Sequence, residues 1–326
     1  MFSSRYFQSE LSLQLFTNSF QTDMLSINPS EIPMSKLHEY LLSAVAPRPI
    51  AFVSTIDKDG NVNLSPFSFF NCFGSNPPTL VFSPARSGRT GATKHTHDNV
   101  LEVNECVVNI PHYDMLYQMN LAAHMYPKGV DEFAKSGLTK QESITVKPPR
   151  VAECFVQMEC EVKDVIVTGL NGGAGNLVVC EVKMIHINEK VLNEEGGIDP
   201  NKMNYIARMG KQFWARIGAE NIISVSGFKM ANELGIGWDA LPNGITHSKF
   251  LSGNDIARVA SLNAFPTEEE LNELRKAEFV QEIFSECKND FAALEKAIHL
   301  RAKIEIERGS MPLAFQLLML LEKSKK

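Results

Sequence analysis

The sequence predicts a mainly β protein, an antiparallel barrel or sandwich with added helices at its C-terminal end. Short β-rich runs punctuated by turn signals fill Ile50 to Ile110, and two longer ones flank a glycine-rich stretch between Val151 and Ile187. Beyond Pro266 the apolar residues recur at helical spacing. No regular βαβ alternation is present, which removes the case for a parallel sheet.

The first runs are IAFVSTI, the turn DKDGN, VNLSPFSFF, the break GSNPP, and TLVFSP. Asp59-Gly60-Asn61 predicts a hairpin, because Gly and Asn tolerate the positive φ of a tight turn. A short helix with its entry loop is expected over Gly88 to Asn104, then the strand CVVNI, then a partly helical Asp114 to Ala134. After the Pro148-Pro149 break come VAECFVQMECEVKDVIV and LVVCEVKMIHI, joined by GLNGGAGN. Gly172, Gly173 and Gly175 lead into a β-branched, alternating run and not into a helix. They therefore predict an antiparallel turn and not a dinucleotide-binding loop.

Gly235 to Asn263 is irregular and rich in Gly, Asn and Ser. Thr267 with Glu270 forms a capping box ahead of Leu271, Leu274, Phe279 and Ile283. A second apolar series runs Phe291, Leu294, Ala297, Ile298, and Pro312 suits the first turn of a third helix. The expected division is a tail over 1–30, a β domain over 31–222, an irregular arm or lid over 223–265, and a helical extension over 266–326.

With 326 residues, 44% of them hydrophobic, the chain can bury a full core. A formal net charge of -6 and a pI near 5.8 exclude a general polyanion binder, so no nucleic-acid partner is expected. The six cysteines include no CxxC pair and sit in apolar or strand-like runs, which predicts reduced, buried thiols. No apolar stretch reaches the ~18 residues of a membrane span, and the expected location is cytoplasmic with no membrane partner. The Ser-rich start, MFSSRYFQSELSLQLFTNSFQTD, is compatible with a transit peptide or a plain tail.

Two segments carry chemistry. In Pro47 to Asn71 the second strand mixes Ser65, Pro66, Ser68 and Asn71 with Phe67, Phe69 and Phe70. Proline removes a ladder donor, so this strand is irregular or at an edge and leaves backbone groups beside aromatic surface, a setting for a flat heteroaromatic ring. A Phe-rich core strand with incidental serines explains the same residues. In Ser83 to Val100, Arg86, Arg89 and Lys94 stand among Ser83, Ser87, Thr90 and Thr96 where a helix begins. Charge-assisted donors at a helix start suit a phosphate ester, while a solvated basic loop is the plainer alternative. His95 and His97 lack companion ligands at metal spacing, and no metal is expected.

PRPIAFVST, GNVNLSPFSFFN and K-x-T-x-x-N before ECVVNI together resemble the flavin reductase-like family of FMN-binding split barrels. That group includes flavoredoxins and reductase components of two-component monooxygenases. GVDEFAKSGLT, PPRVAECFVQMECEV, VKMIHI and NYIARMG extend the likeness over roughly Ser35 to Ile217. The resemblance implies a Greek-key split β-barrel, homodimeric, with FMN near the subunit interface. It implies that Ser65, Pro66, Phe67, Ser68, Phe69, Phe70 and Asn71 line the isoalloxazine ring, and that Lys94, Thr96, Ser83 and Arg89 hold the phosphate. Ser54 and Thr55 would face the ribityl chain or pyrimidine edge, with His186 and Arg208 as substrate or flavin neighbours. The family often has an acid where this chain has His95, which leaves Lys94 without that support.

The expected activity is an FMN-dependent oxidoreductase, with NAD(P)H passing hydride to the flavin and no side-chain base required. A small molecule or a protein would accept the electrons. Two rival readings remain at the level of sequence: an FMN electron carrier without NAD(P)H activity, and a partner-binding protein acting through its C-terminal helices.

Overall fold

The computed structural model describes residues 24–223, 234–287 and 290–324, so most of the expected tail lies outside the described residues. The chain divides into two compact units, one ending at Ile222 and the other beginning at Ile223.

The first unit is built on strands β1 (Ala51–Ile56), β2 (Val62–Phe67), β3 (Phe70–Ser75), β4 (Pro78–Phe82), β5 (Glu105–Ile110), β6 (Lys140–Gln141), β7 (Arg150–Val151), β8 (Val156–Val167), β9 (Asn176–Ile187), β10 (Tyr205–Met209) and β11 (Phe213–Ile217). Seven of them form one sheet in the order β2-β1-β5-β8-β9-β4-β3, every neighbouring pair antiparallel. The other four make two small ribbons, β6 with β7 and β10 with β11. Helix α1 (Met34–Ala44) precedes the first strand, and α2 (His95–Glu102), α3 (Leu116–Ala122), α4 (Glu132–Ser136) and α5 (Pro200–Met203) lie between strands.

Local signals place these elements. Gly60 sits at φ +83°, and Asp57 accepts from the backbone N–H groups of Asp59 and Asn61, closing the β1–β2 hairpin. The side chain of Asn61 also donates to Asp57 and holds its carboxyl below the usual range. The glycine-rich stretch is the β8–β9 hairpin loop, as its context predicts. Along β1 the pleat sends Ala51 and Val53 to one core and Ile50 and Phe52 to another. The first core fills the rolled sheet with Phe67, Phe82, Val108, Cys160 and Val178, while the second lies under α3 and α4 around Met119 and Phe133.

A closed barrel is not what forms. Strands β2 and β3 are the two edges of the sheet, yet only Ser68 and Phe69 separate them in sequence. Three Cα–Cα steps reach at most about 11 Å, so the sheet is strongly rolled. Its edges exchange no ladder bonds, and a gap is left at the β2–β3 crossing. Pro66, without an N–H, stands on the edge strand beside that gap, where its missing donor leaves no partner unpaired in the sheet interior.

The second unit is helical: α6 (Asn243–Thr246), α7 (Gly253–Ala260), α8 (Glu268–Lys276), α9 (Glu278–Glu286), α10 (Phe291–Glu307) and α11 (Met311–Ser324). The capping box at Thr267 forms as expected, and Pro312 stands in the first turn of α11. Between α8 and α9 the chain breaks at Ala277, whose ψ of 132° is extended. The irregular arm expected over 223–265 is corrected where it is described. Ile245, Ile256 and Val259 of α6 and α7 are buried in one core with Leu271, Ile298, Phe315 and Leu318. Its Ser252–Asp255 capping box was hidden by the Gly- and Asn-rich composition around it. Residues 224–233 of that arm lie outside the described ones. Among the described residues no helix is long and apolar enough to cross a membrane.

Candidate functional site

The gap beside β2 borders a cavity of about 490 Å³. Pro66, Ser68 and Phe69 come to it from the β2–β3 crossing, Lys94 from the start of α2, Arg48 from the segment before β1, and Arg208 and Trp214 from the β10–β11 ribbon. An adjoining cavity of about 240 Å³ is lined by Ser65, Thr96 and Glu132, and shares Lys94 and Ala123 with the first. The segment expected to border a flat ring and the segment expected to hold a phosphate, separate in sequence, therefore meet at Lys94.

Lys94 is the N-cap residue of α2, and no carboxylate pairs with it among the described residues. The Thr96 hydroxyl accepts from Asn63 at 2.9 Å, which leaves its own proton to donate. Phe69 is 40% exposed, its ring edge-on to His38 with centroids 6.3 Å apart. A flat ligand has both an aromatic neighbour and room here.

The other expected cofactor-binding residues, apart from Ser65, border neither cavity. Ser54 and Thr55 are fully buried, Ser54 donating to the Pro149 carbonyl and Thr55 accepting from Asn99 at 3.1 Å. Ser83 is buried and accepts from the Asn176 N–H at 3.1 Å. Phe67 stacks on Phe82 in the sheet core, and Phe70 packs against the same core. Asn71 is exposed and accepts from the Cys72 N–H, while Arg89 is exposed and borders neither cavity. A hydroxyl in a β strand satisfies a backbone group as readily as a ligand, and sequence alone does not separate the two.

The larger cavity is electrostatically one-sided. Arg48, Lys94, Arg208 and His38 line it, and none of its lining residues is acidic. Burial, with Arg208 beside it, pushes the Arg48 guanidinium below its ordinary value, and burial does the same to Arg208. Arg208 lies over the Trp214 ring, 4.6 Å from its centroid. In a chain of net charge -6, this is the local concentration of positive charge an anionic ligand needs.

Glu132, unremarked in the sequence, is 4% exposed, and burial raises its carboxyl above the ordinary range. Its Oε2 accepts from the Leu64 N–H at 3.0 Å, satisfying a β2 donor that no strand covers. It holds β2 in place two residues before Pro66. Arg48 and Trp214 also escaped the sequence reading. Arg48 carried a usable signal, a cation between prolines at the mouth of an apolar strand.

His186 borders a different cavity, of about 460 Å³, with Arg150 and Gln157. Its Nε2 is 2.7 Å from Glu159, a carboxylate buried completely. Burial by itself raises that carboxyl, but hydrogen bonds from the Thr145 hydroxyl, from the Ile144 and Thr145 N–H groups and from His186 outweigh it and hold the group at about 2. Glu159 thus pins the 142–149 loop. Among the described residues, no group of three or more His, Cys, Asp or Glu gathers as a metal site.

Comparison with known proteins identifies relatives of this fold. The family model described as flavin reductase like domain matches residues 43–209. An uncharacterised protein of Aquifex aeolicus is 36% identical over 186 residues, 56% of this chain and 91% of that one. Nitrilotriacetate monooxygenase component B from Bacillus cereus is 31% identical with a TM-score of 0.57, covering 62% of this chain and 98% of that one. A split-barrel domain structure from Shewanella frigidimarina shares the fold at 19% identity and a TM-score of 0.52, covering 60% and 96%.

Proposed function

The chain belongs to the flavin reductase-like family, and from that premise we propose that it binds FMN in a Greek-key split barrel and oxidises a reduced nicotinamide dinucleotide. The observation that carries the reading is the cavity at the β2–β3 crossing, where cations with no carboxylate partner among the described residues and an interrupted aromatic edge line one space without an acidic residue. Its volume lies in the ordinary range for small-molecule sites.

Bound FMN supplies the two-electron chemistry, and the protein binds and orients it. Lys94, with the Thr96 hydroxyl and the free N–H groups opening α2, would hold the phosphate. Pro66, Ser68 and Phe69 would border the ring, Ser68 offering a hydroxyl to its polar edge. Glu132 fixes β2 so that these three stay in register. No side chain is required to move a proton. The homodimer belongs to the same proposal, and light scattering should give twice the chain mass of 36.3 kDa.

The test is the absorption spectrum of the purified protein, followed by anaerobic addition of NADH and NADPH. Bleaching of a flavin band by either supports the proposal. A flavin that binds and stays oxidised defeats the nicotinamide step, and a protein that refuses micromolar FMN defeats the whole reading.

A further inference from the structure

Arg48 and Arg208 stand opposite each other in an isolated antiparallel bridge, joined by two backbone hydrogen bonds of 3.0 and 2.9 Å. Directly opposed residues carry their side chains on one face, and like charges placed this way destabilise the pairing. No carboxylate forms an ion pair with either among the described residues, and none lines the cavity both face. Arg48 is 4% exposed and its Nε has no hydrogen-bond partner, while its Nη1 donates to the Leu42 and Val45 carbonyls and its Nη2 to the Gly210 carbonyl at 3.3 Å. Arg208 is held from two sides, by the Trp214 ring and by the Lys211 carbonyl at 2.6 Å. Two guanidinium groups are thus held on one face, Arg48 buried and Arg208 half-buried, with no carboxylate partner among the described residues.

Lys94 stands apart from this pair. It borders both cavities, whereas Arg48, Arg208 and Trp214 border only the larger one. The larger cavity thus carries all three cations, of which only Lys94 also reaches the smaller one.

We propose that Arg208, supported by Arg48, forms an oxyanion subsite that takes the pyrophosphate of the nicotinamide dinucleotide, separate from the flavin-phosphate position at Lys94. The inference rests on the reductase reading above. Two fixed positive charges match a doubly charged linkage, and a guanidinium fork pairs with phosphate oxygens through parallel hydrogen bonds.

Inorganic pyrophosphate is the direct probe, titrated calorimetrically into the full-length protein and into Arg208→Gln, Arg208→Lys and Lys94→Met variants. The expected result is binding to the wild type, weakened tenfold or more in Arg208→Gln, partly restored in Arg208→Lys and unchanged in Lys94→Met. FMN affinity should show the reverse pattern, falling in Lys94→Met and holding in Arg208→Gln. The KM for the dinucleotide should rise in Arg208→Gln at least as much as kcat falls. Thermal melts confirm that each variant is folded before it is titrated.

Equal loss of FMN affinity in Arg208→Gln and Lys94→Met would place both cations in one flavin-phosphate site and overturn the proposal. Pyrophosphate that fails to bind the wild type, or binds Arg208→Gln as well, overturns it too. So does benzoate showing the Arg208 dependence that pyrophosphate lacks, since the site would then serve a carboxylate. Pyrophosphate binding needs no flavin, so a protein that binds the anion through Arg208 but refuses FMN keeps the subsite and loses the reductase reading.

Discussion

Lys94 joins the two cavities and has no counter-ion among the described residues, so its charge is available to a ligand phosphate. Lys94→Met should weaken FMN binding by about 1.5–3 kcal/mol, the worth of a hydrogen bond to a charged group. Fluorescence titration of FMN measures this, and an unchanged Kd removes the phosphate assignment. Glu159 makes a prediction about pH. Its carboxyl sits at about 2 in the folded protein against an ordinary 4.5, so its stabilisation is complete above about 4.5 and is lost as pH falls towards 2. Glu159→Gln should therefore lower the urea midpoint clearly at pH 7 and less and less below pH 4. A difference between the two proteins that stays constant with pH would show that Glu159 does not act through its charge.

At the level of elements, the β8–β9 loop supports the loop that leads to Lys94. A Cβ on Gly172 would lie 2.9 Å from the Ser87 carbonyl oxygen and 3.0 Å from that of Gly88, both rigid backbone. Gly172→Ala must shift one loop against the other, and should cost about 1–3 kcal/mol, as overpacking generally does. It should weaken FMN binding as well, since residues 83–92 run directly into the start of α2. Gly60→Ala is the control: its Cβ meets nothing within 4 Å, and only the positive φ is strained. Thermal melts and FMN titration of the two variants separate packing from backbone strain, and equal FMN affinity in both would show that the glycine-rich hairpin leaves the site untouched.

For the whole molecule, the family model ends at residue 209, inside the first unit, and the matched relatives are themselves nearly complete. The Aquifex aeolicus protein aligns over 91% of its length and the Bacillus cereus component over 98%, each against little more than half of this chain. The helical unit has its own core of fully buried residues, among them Ile298, Phe315 and Leu318. A chain ending at Ile222 should therefore fold and keep FMN affinity within about threefold, a difference below ~1 kcal/mol. Loss of FMN binding in such a folded chain would assign the helices a part in the site.

The sequence by itself determined the local elements and singled out the two segments that the fold brings to one cavity. Asp59-Gly60-Asn61 dictated its hairpin, Thr267 and Glu270 their helix start, and Pro66 its edge strand, because each acts through its own backbone and near neighbours. Only the tertiary structure decided which polar groups were already spoken for and which charges were left over. Ser54, Thr55 and Ser83 bond to partners between 44 and 95 residues away and border neither cavity. Arg48 and Arg208, separated by 160 positions, became opposed neighbours across one bridge. Hydrogen-bond satisfaction and charge balance depend on contacts between distant parts of the chain, and local spacing carries no record of them.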